Sequence, residues 1–206
     1  MDNNFDYYLI GSDKTKSVPL LMPDGEQTTG HLLGNAPIEN VQETMKLCYR
    51  PPVPAKPRMV DFHELPSSVF SGKIYNVLYP MQIEGLQLLP ATIRGKNEDF
   101  YEDYWVAYIY KRIKCLDMEH SDYEVSRVDG KISWVMKFFL DIDVLSKIPL
   151  EKRLVFLLAE DMPKRIYHKS VVDVIMDTKP IGIQFYPIPQ WYEGIQFDKE
   201  DEDELW

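Results

Sequence analysis

The sequence predicts an α+β fold, a mixed and largely antiparallel sheet carrying short helices. Three observations lead there. β-branched and aromatic residues concentrate in the middle of the chain, an Asp-Gly dipeptide separates two such runs, and a helix-like segment followed by glycine and a strand-like segment occurs twice. Two similar helix-strand units, about 63–90 and 160–187, are therefore expected to flank a central hairpin on one shared sheet.

Taken in order, Tyr7 to Ile10 reads as a short opening strand, followed by turn-rich sequence with Pro19, Pro23, Gly25, Gly30 and Gly34. Ile38 to Cys48 reads as a short helix. Tyr49 to Arg58 contains Pro51, Pro52, Pro54 and Pro57, which lack backbone donors and favour extended conformations. The expected boundary lies there, between a turn-rich segment, 1–57, and a core, 58–197, of one domain that ends in an acidic tail, 198–206. Asp103 to Leu116 mixes Tyr, Trp, Val and Ile and reads as strand. Tyr123 to Val128 and Lys131 to Leu140 flank Asp129-Gly130, the dipeptide suited to a two-residue hairpin turn. Asp141 to Pro149 is expected to be a connection, Arg153 to Glu160 a buried strand, and Tyr167 to Met176 a short helix.

The repeat is gapless at an offset of 97 residues, His63 to Pro90 aligning with Glu160 to Pro187. Pro66 matches Pro163, Val77 matches Val174, and Gly85, Gln87 and Pro90 match Gly182, Gln184 and Pro187. Each copy reads as loop, short helix, glycine stop and strand, with the glycine where a left-handed helix terminus is favourable. Either a true duplication or the general likeness of any helix, glycine and strand in series accounts for it.

At 206 residues, 45% of them hydrophobic, the chain is long enough to bury a sizeable core, and 13 Tyr, 9 Phe and 4 Trp exclude a disordered composition. Cys48 and Cys115 have no metal-like spacing, and so few cysteines suit a reduced cytoplasm. Acidic Asp2 and Asp6 stand where an export signal would be basic, and no apolar run approaches the roughly 20 residues of a membrane span. A net charge of -10 excludes the basic patch that nucleic-acid binding needs and suits a basic protein partner instead. Asp198 to Glu204 holds six acids against Lys199, a net -5, so half of the acidity belongs to the tail.

Phosphate loops, nucleophile elbows, paired Cys-x-x-Cys and His-Glu-x-x-His are all missing from the sequence. Cys115, Asp117 and His120 lie within six residues, as an activated thiolate would require, yet Cys115 closes a predicted strand and a buried structural cysteine explains it. Asp141 and Asp143 would offer hard oxygen ligands to a cation, but no third acid completes a loop. His63 with Glu64, and His168, sit near the starts of the two units without corresponding to one another, which fits surface or capping histidines. No catalytic, metal or cofactor-binding residue is therefore assigned. The acidic aromatic stretch from Asp99 to Trp105 is the better functional candidate, since Tyr and Trp concentrate in binding hot spots and acids steer a basic partner. Half of its rings should point into the core. The candidate partner-binding residues are Asp99, Tyr101, Glu102, Asp103, Tyr104, Trp105, Trp191 and Tyr192.

The strand Gln87 to Pro90, the Tyr104 to Tyr108 segment running into Ile113 to Asp117, the Arg153 to Phe156 strand and the unit from His168 to Phe185 together resemble a known family. From about Leu86 to Ile188 the chain is similar to immunity protein family eleven of bacterial polymorphic toxin systems, with residues 1–57 and the tail outside the likeness. The resemblance implies an antitoxin, made in the cytoplasm, that binds and blocks a cognate toxin without catalysis; the charge and the lack of a long apolar run leave neither nucleic acid nor membrane as an expected partner, and no cofactor is expected. Two rivals stay open: a small hydrolase or transferase using Cys115 and His120 or Asp141 and Asp143, and a structural or adaptor protein of a secretion system or phage.

Overall fold

Short β-branched and aromatic runs punctuated by glycine and proline make many short strands. The computed structural model describes residues 3–13, 17–25, 34–39, 43–160 and 164–195. Its strands are β1 (Tyr7–Ser12), β2 (Leu21–Pro23), β3 (Met45–Tyr49), β4 (Phe62–His63), β5 (Val69–Ser71), β6 (Leu86–Arg94), β7 (Phe100–Ile109), β8 (Arg112–Ile113), β9 (Asp122–Val125), β10 (Ile132–Lys137), β11 (Val155–Leu158), β12 (Arg165–His168) and β13 (Ile183–Pro187). The helices are α1 (Gly72–Leu78), α2 (Ile142–Ser146) and α3 (Lys169–Asp177). Among the described residues no helix is long and apolar enough to cross a membrane.

One sheet has the order β13-β1-β12-β11-β8 and the other β2-β3-β6-β7-β5-β4, with β9 and β10 forming a separate hairpin. Pairing is antiparallel except between β3 and β6 and between β8 and β11, so the fold is α+β with largely antiparallel sheets. The two repeat units do not share a sheet, which corrects the expected layout. Each lies in a sheet of its own, and the hairpin stands outside both.

The units nevertheless fold alike. β5, α1 and β6 correspond to β12, α3 and β13, and in each unit two parallel strands flank a third strand that runs antiparallel to both. The third strand is β7 in the first unit and β1 in the second. Tyr104 faces Ser71 and Val106 faces Leu89 in one sheet, while Tyr7 faces His168 and Leu9 faces Tyr186 in the other, and all four pairs agree with the 97-residue offset. β4 lies against β5 as β11 lies against β12. The duplicated unit is thus a four-stranded sheet with one helix, and the second copy takes its centre strand from near the start of the chain.

Gly85 and Gly182, at φ +91° and +80°, stand immediately before the strand of each unit, whereas the left-handed residues that follow the helical segments are Gln82 at φ +45° and Lys179 at φ +54°, which corrects the expected glycine terminus. A Cβ at Gly182 would stand 2.6 Å from Cβ of Val60, and one at Gly85 would stand 2.2 Å from Cβ of Lys111. The Gly85 carbonyl accepts from Tyr110 N–H at 2.9 Å, and the Gly182 carbonyl from Asp13 N–H at 3.2 Å, again a pair at the same offset. Glycine is needed at both places for its conformation and for its lack of a side chain.

Alternation along the strands divides the core. Phe62, Phe70, Ile74 and Leu78 of the first unit meet Val155, Tyr167, Val171 and Ile175 of the second in a shared cluster, where α1 packs on α3. The outer face of one sheet buries Leu47, Ile93, Val106 and Tyr108, and that of the other buries Tyr7, Phe156, Phe138 and Ile188. Each such side chain contributes about 1.5 to 3 kcal/mol by leaving water.

Several local expectations are corrected. Met45 to Cys48 belongs to a strand and not a helix, because pairing between β2 and β6 buries Met45, Leu47 and Tyr49 on one face; residues 40–42 lie outside the described residues. Strands from both sides of the proline stretch share a sheet, so residues 1–57 supply core and do not merely precede it. The hairpin loop is longer than two residues: Gly130 N–H reaches the Ser126 carbonyl at 3.0 Å and Ser126 N–H the Lys131 carbonyl at 2.7 Å. Asp141 to Pro149 contains α2, which Asp141 caps by accepting from Val144 N–H at 3.0 Å. A short strand, β5 or β12, precedes each repeat helix where a loop was expected.

Candidate protein-binding face

β7 carries the acidic aromatic stretch, and a bulge between its pairs with Ala91 and Ile93 decides which side chains face out. Tyr104 is only 8% exposed; its ring meets His63 edge-on and its hydroxyl donates to the Val60 carbonyl at 2.9 Å. Tyr101 packs partly against the same outer core. Trp191, 7% exposed, sits edge-on to Phe138 with Lys164 Nζ 4.1 Å above its ring. Tyr104 and Trp191 are thus core residues, which removes them as direct contacts for a partner, while Tyr192 beside Trp191 is exposed.

Trp105 points to the opposite side of β7 from Tyr104 and stacks on Tyr75 of α1 at 4.0 Å and 14°. Tyr75 in turn stacks on Tyr79 at 5.1 Å and 26°, and Tyr79 is 63% exposed. Residues 72, 75 and 79 fall on one side of the helical turn, so the rings form a stripe that continues to Gly72. The Asp103 carboxylate lies against Gly72, where a Cβ would come within 2.2 Å of Oδ1. Sequence reasoning missed Tyr75 and Tyr79. The signal was there in the spacing of four between two tyrosines, opposite Val172 and Met176 in the other unit.

Asp99, Glu102 and Asp103 are exposed and, among the described residues, form no salt bridge. Three basic residues elsewhere are paired with other acids. Arg94 holds Asp24 through two bonds of 2.6 and 2.8 Å and reaches Glu98 at 3.4 Å, Lys73 holds Asp61 at 3.2 Å, and Lys111 holds Glu84 at 2.7 Å. Arg94 draws the Asp24 carboxyl below its usual range. Two other surface features differ. The hairpin exposes Val128 and Trp134 among charges of both signs, Arg127, Asp129 and Lys131. A cleft of about 320 Å³ between β1 and the Glu64–Leu65 loop is lined by charges of both signs, with Ser12 Oγ donating to Glu64 at 3.0 Å and Lys164 paired with Glu193 at 2.8 Å.

The residues considered for chemistry have structural roles. Cys115 is 2% exposed, and burial pushes its thiol far up, the reverse of an activated nucleophile. His120 bonds Asp117 at 2.8 Å in an exposed turn. His168 Nδ1 caps α3 by accepting from Ser170 N–H at 3.2 Å. His63 is buried with Nδ1 3.2 Å from the Pro19 carbonyl, and burial holds its pKa down to about 4. Among the described residues no group of three His, Cys, Asp or Glu side chains is placed to hold a metal ion.

The sequence profile of the immunity protein family (Imm11) matches residues 4–190. The chain belongs to this family. The Imm11 match begins before β1 and ends beyond β13, so it covers both copies of the duplicated unit. It also includes residues 4–57, which the narrower likeness from Leu86 to Ile188 left outside, and β1 and β3 from that segment sit inside the two sheets. No curated protein matches the chain.

Proposed function

We propose that this Imm11 protein binds and neutralises a cognate toxin in the cytoplasm, by contact and without chemistry of its own. The observation that carries it is the family match across 4–190. The exposed acids and rings of β7 and α1 supply the kind of face a basic partner would meet, rigid aromatic area within a negative rim. Trp105 lies in that face with Asp103, and Asp99 and Glu102 are exposed near it in sequence, while Tyr101 packs on the other side of β7, against the outer core with Tyr104, and is left out of the face.

The test is co-expression with the toxin encoded beside the gene. Protection of the cell and co-purification of a complex are expected, and single alanines at Cys115, His120, Asp141 and Asp143 should leave both intact wherever the variant folds. Failure of the wild-type chain to protect or to bind would overturn the proposal, and loss of protection in a folded, toxin-binding variant would revive an enzymatic reading.

A further inference from the structure

Hydrogen bonding along an antiparallel pair turns every second residue of a strand away from its neighbour. Asp13 N–H donates to the Gly182 carbonyl at 3.2 Å, so in the register that follows, Gly11 with Gln184 and Leu9 with Tyr186 exchange hydrogen bonds between β1 and β13. Ile183 and Phe185 therefore turn their N–H and C=O groups outward, and β13 is the last strand of its sheet. In the first unit the corresponding edge, that of β6, is covered. Ala91 to Arg94 pair with β3, and the Gln87 side chain holds the N–H and the C=O of Ile38 at 2.8 and 3.1 Å. Ile188 to Trp191 stand at the same offset but do not extend β13, because Ile188–Gln190 is a 3-10 helix, and no strand among the described residues closes this edge. The charges that commonly guard an open edge are missing as well, since no charged residue occurs from Pro180 to Tyr192.

We propose that β13 pairs with β13 of a second copy of this chain, antiparallel about a two-fold axis at Gln184, so that the two five-stranded sheets join edge to edge. The ends of the free edge fix that register. Ile181 has its N–H on the Asp61 carboxylate at 2.8 Å and its C=O on Asp61 N–H at 2.9 Å, and Pro187 has no N–H to give. Between these ends Ile183 and Phe185 each present a donor and an acceptor, and setting Ile183 opposite Phe185 of the copy satisfies every one of them. Each such pair also places a Phe185 ring beside an Ile183 side chain, an aromatic with a β-branched residue, a combination that stabilises neighbouring strands. A second copy suits this edge better than the toxin, because an uncharged strand complements itself about a two-fold axis and offers no acid to draw a basic partner. The inference stands on the sheet alone and does not depend on the proposed function.

Sedimentation of the full chain should show a monomer giving way to a dimer as the concentration rises to millimolar. Amide hydrogen exchange read by NMR then locates the contact. The N–H groups of Gln184 and Tyr186 are held by β1 at every concentration, and those of Ile183 and Phe185 should become protected only as the dimer forms. Gln184→Cys should close a disulfide between copies, because a non-hydrogen-bonded pair brings its Cα atoms to about 4.5 Å, within disulfide reach, while the native Cys48 and Cys115 are buried. Tyr192→Cys, exposed but off the edge, should not. Gln184→Lys, which opposes two like charges at the axis, should raise the dissociation constant of the dimer about fivefold, and Gln184→Met should leave it unchanged. A chain that stays monomeric, or a dimer in which Ile183 and Phe185 exchange as they do in the monomer, would overturn the proposal. So would protection of these two amides that does not vary with concentration, which would mean that the edge is closed from within the chain, or protection that only the co-encoded toxin brings.

Discussion

Tyr7 and Tyr104 occupy the same place in the two halves of the molecule. Tyr104 sits edge-on to His63 of β4, and Tyr7 edge-on to Phe156 of β11, the residue at the matching register. The partners of their hydroxyls correspond as well. Tyr104 donates to the carbonyl of Val60, three residues before His63, and Tyr7 accepts from Arg153, three residues before Phe156. At that register one half carries a histidine and the other a phenylalanine, and the difference has a thermodynamic consequence.

His63 should make the protein acid-sensitive in a defined window. Its Nδ1–H faces the Pro19 carbonyl and Nε2 is buried with no acceptor or donor, so the ring is held neutral and its pKa lies at about 4. The unfolded chain binds this proton below about 6.5 while the native state does not, so stability falls as pH drops from 6.5 towards 4, by about 3 kcal/mol. His63→Phe, which copies the other half, should flatten that part of the profile in urea denaturation at stepped pH. An unchanged slope would show that another group carries it.

Asp61 should be a costly position, because it joins the halves. Its N–H donates to the Ile181 carbonyl at 2.9 Å, and its carboxylate accepts from Ile181 N–H at 2.8 Å, Ser71 Oγ at 2.7 Å and Lys73 at 3.2 Å. Burial works to raise its pKa, and those bonds outweigh burial and lower it. The stability they give is present above the unfolded carboxyl value and lost as pH falls through the depressed one. Asp61→Ala leaves the Ile181 and Ser71 donors without their acceptor, and a loss of about 3 kcal/mol in denaturation at neutral pH is expected.

Glycine replacements should separate conformation from crowding. Gly130 and Gly182 both have positive φ, but nothing lies within 4 Å of a Cβ at Gly130, whereas Val60 blocks one at Gly182. Gly130→Ala should cost about 1 kcal/mol and Gly182→Ala about 3 or more, the difference being overpacking. Equal melting shifts would mean that Val60 gives way.

If acids steer the toxin, association should slow as salt rises, because screening shortens the field to about 8 to 10 Å near physiological ionic strength. Dissociation should change less. Removing residues 198–206, which carry half of the -10 net charge, should slow association modestly and leave the complex tight. Stopped-flow mixing across a salt series reads both rates, and salt-independent association would exclude steering.

Much of this molecule is legible in its sequence where a signal is local. Gly85 and Gly182 stand between helix and strand in both copies, next to the starts of β6 and β13, and Asp129-Gly130 marks the hairpin. Partnering across the chain was not legible. β5 and β12 are three and four residues long, too short to show a period, and Met45 to Tyr49 is a strand only because β2 and β6 accept it. The candidate face divides in the same way. Acids and rings in β7 are visible as a run, but which rings face out depends on the bulge opposite Ala91 and Ile93, and Tyr75 and Tyr79 join the face only when α1 packs across β7.

The placement of β1 bears on how its sheet is assembled. Among the described residues it precedes every other strand in sequence, yet its neighbours β12 and β13 come after most of them. The six-stranded sheet has all its strands once Ile109 has emerged, but in the five-stranded sheet β1 must wait unpaired for β12 and β13, the strands on either side of it. Native pairing of Tyr7 with His168 spans nearly the whole chain, and contacts of that separation close slowly. Synthesis therefore passes through a half-built state in which β1 is present and the strands that flank it are not, the kind of intermediate whose unpaired edges favour misassembly.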